Sequence, residues 1–309
     1  MSAYPQTARA DPLSRRIRRS RSAVGLRAAA VAMAGGFALL GCKADGPIVP
    51  ENLNPQPIDS VTREDIPDYA DLVQRYNQTA ASLPRVWART DVELRWRNEK
   101  GKARRESGDG RLIFEKPLNT AWTLEVLGDI KLWAGSDDKG FWLFDRVDGS
   151  TAYYGDYTKP LARPLPLPIQ PEAVPYLLGL VQVDAHRRPA PPEVELFNGY
   201  FVIEPPGLNL RLMLDPRDAR PVRIDLTDPA GQSQLTCLLK GGLEVESPGG
   251  PTVLIPESAE LYPVGEESRL TLTLKRPTTD EDKVQPRLFN FEVLARSFKP
   301  DQTVNLNQP

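Results

Sequence analysis

Two periodicities divide this chain. Between Pro67 and Pro84, the residues Tyr69, Leu72, Val73, Tyr76, Ala80 and Leu83 recur at three- and four-residue steps. That spacing predicts one helix with a single apolar stripe, opened by Pro67 and stopped by Pro84. The period then drops to two. In the run 88–97, Ala88, Val92, Leu94 and Trp96 alternate with charged residues, which predicts a strand with one buried face. A turn rich in charge and glycine, 98–110, leads to Leu112-Ile113-Phe114. Further strands are predicted at 120–127, 130–135 and 140–145, separated by Gly128-Asp129, Asp137-Asp138 and Asp148-Gly149. Phe141-Trp142-Leu143-Phe144 is apolar on both faces, so a second layer is expected over each, with helices on one side.

The middle of the chain breaks this rhythm. Pro160, Pro164, Pro166, Pro168, Pro171 and Pro175 alternate with Leu161, Leu165, Leu167 and Ile169. Such a segment reads as a rigid loop laid over the body rather than a docking motif for polyproline-binding partners. A short helix over 172–178 follows, with Gly179 as its stop. A second strand series then opens with a hairpin over 193–204 around Asn198-Gly199, the strongest short turn signal available. Strands at 208–214, 222–226, 232–239, 252–262 and 268–275 complete it, and Leu288-Phe289-Asn290-Phe291 closes the body. No repeat of fixed period is present.

The amino-terminal end follows a different logic. An Arg-rich head, Arg15-Arg16-Ile17-Arg18-Arg19-Ser20-Arg21, precedes an apolar run from Ala28 to Leu40 and then Gly41-Cys42. Thirteen apolar residues are too few for a helix across a bilayer core, which takes about 20. A basic head, a short apolar run and small residues at a cut site form the pattern of a secretory signal. Ending in cysteine, it resembles the bacterial lipobox, with Leu40 where Ala or Ser is usual. The resemblance implies that Cys42 is acylated and becomes the new amino terminus. An ordinary cleaved signal and a retained anchor or core helix are the other readings, and Ser14-Arg15-Arg16 hints at twin-arginine export. Lys43, directly after the cysteine, favours outer-membrane delivery under the enteric sorting rule. Residues 42–65, with Pro47, Pro50, Pro55 and Pro57, are expected to form an extended, solvated tether.

Removing residues 1–41 changes the charge balance. That head holds seven arginines and one acid, which leaves 32 basic against 40 acidic residues, a net charge of −8. Such a body has no bulk attraction to nucleic acid or anionic lipid surfaces, so membrane contact is expected through acyl chains and apolar patches. Two cysteines make no disulfide framework, and Cys237, in a strand-like run, reads as a small buried hydrophobe. Chemistry is sparsely supplied. The single histidine, His186, cannot build a multi-histidine metal site, and HExxH, CxxC, GxSxG and phosphate-cradling loops are missing from the sequence. A non-enzymatic protein without cofactor or metal is the expectation; Asp137-Asp138 are turn residues.

The order of elements resembles a known superfamily. A helix ending in a Leu-Pro step is followed by an alternating strand and by Gly110-Arg111-Leu112-Ile113-Phe114-Glu115-Lys116-Pro117. Next come Trp-bearing strands with a Ser136-Asp137-Asp138-Lys139-Gly140-Phe141-Trp142 turn, then Asp215-Pro216, Arg220-Pro221-Val222-Arg223-Ile224 and the Leu288–Phe291 close. This looks like the LolA/LolB-like proteins of lipoprotein sorting and lipid carriage. The resemblance covers roughly 69–306 and implies a mostly β, α+β fold: a half-open antiparallel β-barrel wrapped around a few helices, with an apolar cavity for acyl chains. The Pro-rich segment at 159–175 departs from that family's shorter pattern. The expected organisation is a lipoprotein signal peptide (1–41), tether (42–65), barrel domain (66–298) and polar tail (299–309). The expected function is a lipid-anchored envelope protein, on the periplasmic face of the outer membrane, that binds lipid or lipoprotein acyl chains as carrier or receptor. An envelope scaffold or sensor that docks another envelope protein is the second possibility. On the cavity side we place Val92, Leu94 and Trp96, with Leu112, Phe114, Leu132, Phe141 and Leu143, all apolar positions of predicted strands.

Overall fold

The computed structural model describes residues 47–97, 101–147, 149–163, 165–167, 169–185 and 193–308. Cys42, the signal segment and His186 lie outside the described residues. In the first strand, β1 (Arg85–Arg97), Val86, Ala88, Thr90 and Val92 are buried on one face, the inner face of the sheet. The strands β2 (Ala103–Glu115), β3 (Asn119–Val126), β4 (Asp129–Ser136), β5 (Gly140–Asp145) and β6 (Thr151–Asp156) form a meander on one side of β1. On its other side lie β15 (Ser268–Thr278), β14 (Ser258–Pro263), β11 (Ser233–Lys240), β10 (Pro221–Thr227), β9 (Leu210–Leu214), β8 (Tyr200–Ile203) and β7 (Glu195–Phe197). A last strand, β16 (Gln302–Asn305), pairs in parallel with β6, while all other neighbours are antiparallel. The two outermost strands, β16 and β7, do not meet, so this curved 14-stranded sheet stays open.

Each face has its own cover. Helix α1 (Tyr69–Ser82) lies against the inner face and buries Leu72, Val73, Tyr76 and Ala80, the predicted stripe. A separate hairpin, β12 (Leu243–Glu246) with β13 (Thr252–Ile255), adds Val245 and Ile255 to the same core. Farther along the inner face, Leu161, Leu165 and Leu167 of the Pro-rich segment cover Ala134, Phe141 and Leu143. The outer face of β3 to β6 is covered instead by helix α3 (Phe291–Phe298). There Phe298 stands edge-on to Trp133 at 5.2 Å and stacks on Phe144 at 5.0 Å, and Phe291 stacks on Tyr154 at 4.9 Å. The doubly apolar Phe141–Phe144 run thus has its two layers, a helix outside and a proline-rich strap inside.

Several elements differ from expectation, each for a local reason. The expected 98–110 turn is mostly strand, because β1 and β2 pair from Arg97↔Ala103 to Arg85↔Glu115. Its glycines serve sheet packing: a Cβ on Gly110 would come within 2.0 Å of the Thr123 carbonyl oxygen. The 252–262 strand is two strands, with Pro256 and Glu257 between them. The expected helix at 172–178 is a 3₁₀ turn (Pro171–Ala173) leading into α2 (Val174–Leu177), and Gly179 ends it at φ +67°. β6, β12, β16 and α3 were not foreseen. The expected polar tail is built in: Leu306 is buried, and Asn307 donates to the Asp156, Lys159 and Pro160 carbonyls, each at 3.2 Å. From residue 47 onward the expected solvated tether lies on the body, with Ile48 buried.

Candidate functional site

The inner face of the sheet and the segment joining β6 to β7 enclose a small apolar hollow. On the sheet side it is walled by Thr90 and Val92 of β1, Leu112 of β2 and Trp122 of β3. β14 adds Ala259 and Leu261, and β15 adds Leu270 and Leu272. The opposite wall is not sheet at all. It is Ile169, before the 3₁₀ turn, with Val174 and Leu177 of α2 and Leu178 at its end. The enclosed volume is about 30 Å³, room for one or two waters and a tenth or less of an ordinary ligand pocket. As it stands, the hollow admits no acyl chain.

That second wall is held from both ends. The Tyr76 hydroxyl of α1 donates to the Val181 carbonyl at 3.0 Å, and Asn77 exchanges two bonds with Val183, at 2.7 and 2.9 Å. At the other end the Ala162 N–H donates to the Leu306 carbonyl at 2.8 Å. Between these clamps the wall packs Ile169, Val174, Tyr176, Leu177 and Leu178 into the main core, and the Cys237 thiol donates a weak bond to the Leu177 carbonyl. Burial pushes that thiol far above its ordinary range, so Cys237 behaves as the small hydrophobe expected of it.

All eight sequence-selected positions fall on the inner face, but they do not form one site. Val92 and Leu112 line the hollow. Leu94 and Trp96 continue the same face of β1 toward the β1–β2 turn and remain half-buried. Phe114 packs in the main core with α1. Leu132, Phe141 and Leu143 lie beneath the Pro-rich strap, apart from the hollow. The wall residues 169–178 and the pair Leu270 and Leu272 were missed. The signal for the second pair was present in the Leu270, Leu272, Leu274 alternation; for the wall, no periodicity distinguishes a plug from a loop.

Two further features lie outside the hollow. Glu106 is directly opposite Leu94 in the ladder, so its carboxylate shares the apolar inner face, and desolvation raises its pKa above the ordinary value. At the tip of the β3–β4 hairpin, Leu127 and Gly128 both have positive φ, +53° and +84°, and Leu127 is 95% exposed. A two-residue turn of this kind favours Asn or Gly at its first position. A leucine there puts an apolar side chain into solvent beside the exposed Val126. Among the described residues no group of three or more His, Cys, Asp or Glu gathers to hold a metal, and no helix is long and apolar enough to cross a membrane.

An open, mostly antiparallel sheet curled around one helix, with an apolar inner face, is the class of fold that this geometry defines. A structure of a DUF1329 family protein from Desulfovibrio piger shares it, with a TM-score of 0.50 and 12% identity over 73% of this chain and 97% of that one. A LolA superfamily protein from Nitrosomonas europaea aligns with a TM-score of 0.48 at 9% identity, covering 73% of this chain and 99% of its own. A domain named for outer membrane lipoprotein sorting, from Vibrio parahaemolyticus, aligns with a TM-score of 0.48 at 11% identity, over 74% and 99%. No family model and no curated protein matches the chain.

Proposed function

We propose that this protein is a lipid-anchored envelope protein that takes up the acyl chains of a lipid or lipoprotein under the 169–178 wall, without catalysing a reaction. The observation that carries this reading is the composition of the hollow: apolar side chains except for threonines, with one whole wall supplied by a connecting segment rather than by the sheet. Such a wall can leave while the sheet stays intact. The lipobox-like Cys42, the order of elements resembling LolA/LolB-like proteins and the exposed Leu127 support the same reading. Lys43 favours placement at the outer membrane.

Magnitudes narrow the ligand. Swinging the wall outward exposes Ile169, Val174, Tyr176, Leu177 and Leu178, at about 1.5–3 kcal/mol each, or roughly 8–15 kcal/mol together. An acyl chain returns about 0.8 kcal/mol per buried methylene, so one chain of about 14 methylenes contributes roughly 11 kcal/mol. A single chain therefore only balances the opening, whereas two chains exceed it. A diacyl ligand is the fitting class.

The test uses residues 43–309, which lack the anchoring cysteine. Mass spectrometry of an organic extract should find co-purified diacyl lipid, and the purified body should bind a synthetic diacylated lipopeptide. Leu270→Glu places a carboxylate on the half-buried wall and should abolish both while the body still unfolds cooperatively. A lipid-free body that ignores the lipopeptide would instead favour a scaffold or sensor that docks another envelope protein, a reading which the nearly filled interior supports.

A further inference from the structure

The segment expected to be a loose tether is a strap fixed to the outer face of the sheet. The Arg223 guanidinium of β10 donates to the Asn54 side-chain oxygen at 2.6 Å and to the Leu53 carbonyl at 3.5 Å. Arg223 is itself held by Asp225, at 3.0 and 3.1 Å, and Asp225 is buried and also accepts from the Thr236 hydroxyl at 2.6 Å. The Tyr200 hydroxyl donates to the Gln56 carbonyl at 2.9 Å, and the Ile58 N–H donates to the Asn198 carbonyl at 2.9 Å. Ile58 packs, as Val222 does, against the small outer core of Tyr200, Val202 and Met213. Gly199, at φ +78°, is required for this approach, because a Cβ there would lie 2.2 Å from the Ile58 carbonyl oxygen. Ile48, farther toward the amino end, is only 4% exposed.

We infer that the strap turns the anchor into a short leash, which confines the body to the surface of the membrane that holds it. The inference rests on the acylation of Cys42 proposed above. Six peptide units separate Cys42 from Ile48, a reach of at most roughly 20 Å when fully extended. Were all of 42–65 free, the reach would be roughly 80 Å. With Ile48 buried, the body stays close to the bilayer and cannot range away from it. Its partner surface is therefore its own bilayer. It cannot ferry lipid across an aqueous gap.

The full-length acylated protein, labelled with a donor dye at Glu51→Cys on the strap, is reconstituted into phosphatidylethanolamine/phosphatidylglycerol vesicles with acceptor-labelled headgroups. The expected result is strong energy transfer, which falls severalfold when 20 Gly/Ser residues are inserted between Gly46 and Pro47. Intact-mass analysis and thermal unfolding of both proteins accompany the measurement. An acylated, folded, vesicle-bound protein whose transfer ignores the inserted spacer would overturn the leash alone. An unmodified Cys42 would overturn the anchor, and the leash with it.

Discussion

Glu106 carries a conflict at the scale of a single side chain. Its register opposite Leu94 places an ionisable group on the apolar face, and desolvation is the cause of its raised pKa. An acid whose folded pKa is raised costs nothing below its unfolded pKa; the penalty sets in as pH rises through the folded value. Glu106→Gln should therefore raise the unfolding midpoint at pH 7 and leave it unchanged near pH 4, read by thermal melts at the two pH values. An equal gain at both would show that desolvation of the charge is not the cause. Leu127 poses the opposite problem, an apolar group in water with a φ that leucine rarely adopts. Leu127→Glu should leave the melting temperature within about 1 °C, since surface changes fall within about ±0.5 kcal/mol. It should also lower binding of the soluble body to lipid vesicles severalfold in a flotation assay; unchanged flotation would remove the hairpin tip from the membrane contact. The sequence shows a Val-Leu-Gly-Asp turn at this place, but not that the leucine faces solvent, because exposure depends on what the neighbouring strands leave uncovered.

Among elements, those with a strong local period were legible and those held by distant partners were not. α1 and β5 follow directly from their patterns, and the Asn198-Gly199 hairpin follows from its turn chemistry. β16 and α3 could not be foreseen in the same way, since each depends on a surface built much earlier in the chain. β16 pairs with the free edge of β6, and α3 covers the aromatic outer face of β3 to β6. The Pro-rich strap depends on such a late partner as well. Asn307 binds three carbonyls of the 156–160 stretch and accepts from the Asp156 N–H at 2.6 Å. Asn307→Ala removes two N–H donors and one accepted bond and should cost roughly 1.5–4.5 kcal/mol, at roughly 0.5–1.5 kcal/mol per net hydrogen bond lost. It should also speed chymotryptic cutting after Tyr157 or Leu161. Unchanged cutting would mean that the leucines alone hold the strap in place.

For the whole molecule, the pattern of inward apolar positions foretold which face would be covered but not how much space would be left. Val92 and Leu112 reach the hollow, while Phe141 and Leu143 are sealed beneath the proline-rich segment, although all four alternate in the same manner along their strands. The difference is made by residues 159–180, whose composition reveals neither that they lie inside the curved sheet nor how firmly they hold. On the reading proposed above, the wall between its two hydrogen-bonded clamps is a two-position element, which a diacyl ligand would bias outward. Hydrogen exchange during titration with the diacylated lipopeptide tests that movement most directly. The amides of Leu178, Gly179 and Leu180 donate to the Val174, Tyr176 and Pro175 carbonyls, so they report on the wall itself. As the lipopeptide saturates, exchange across 173–180 should accelerate while that of α1 stays unchanged. Saturable binding with the 173–180 amides as protected as before would contradict the opening of the hollow.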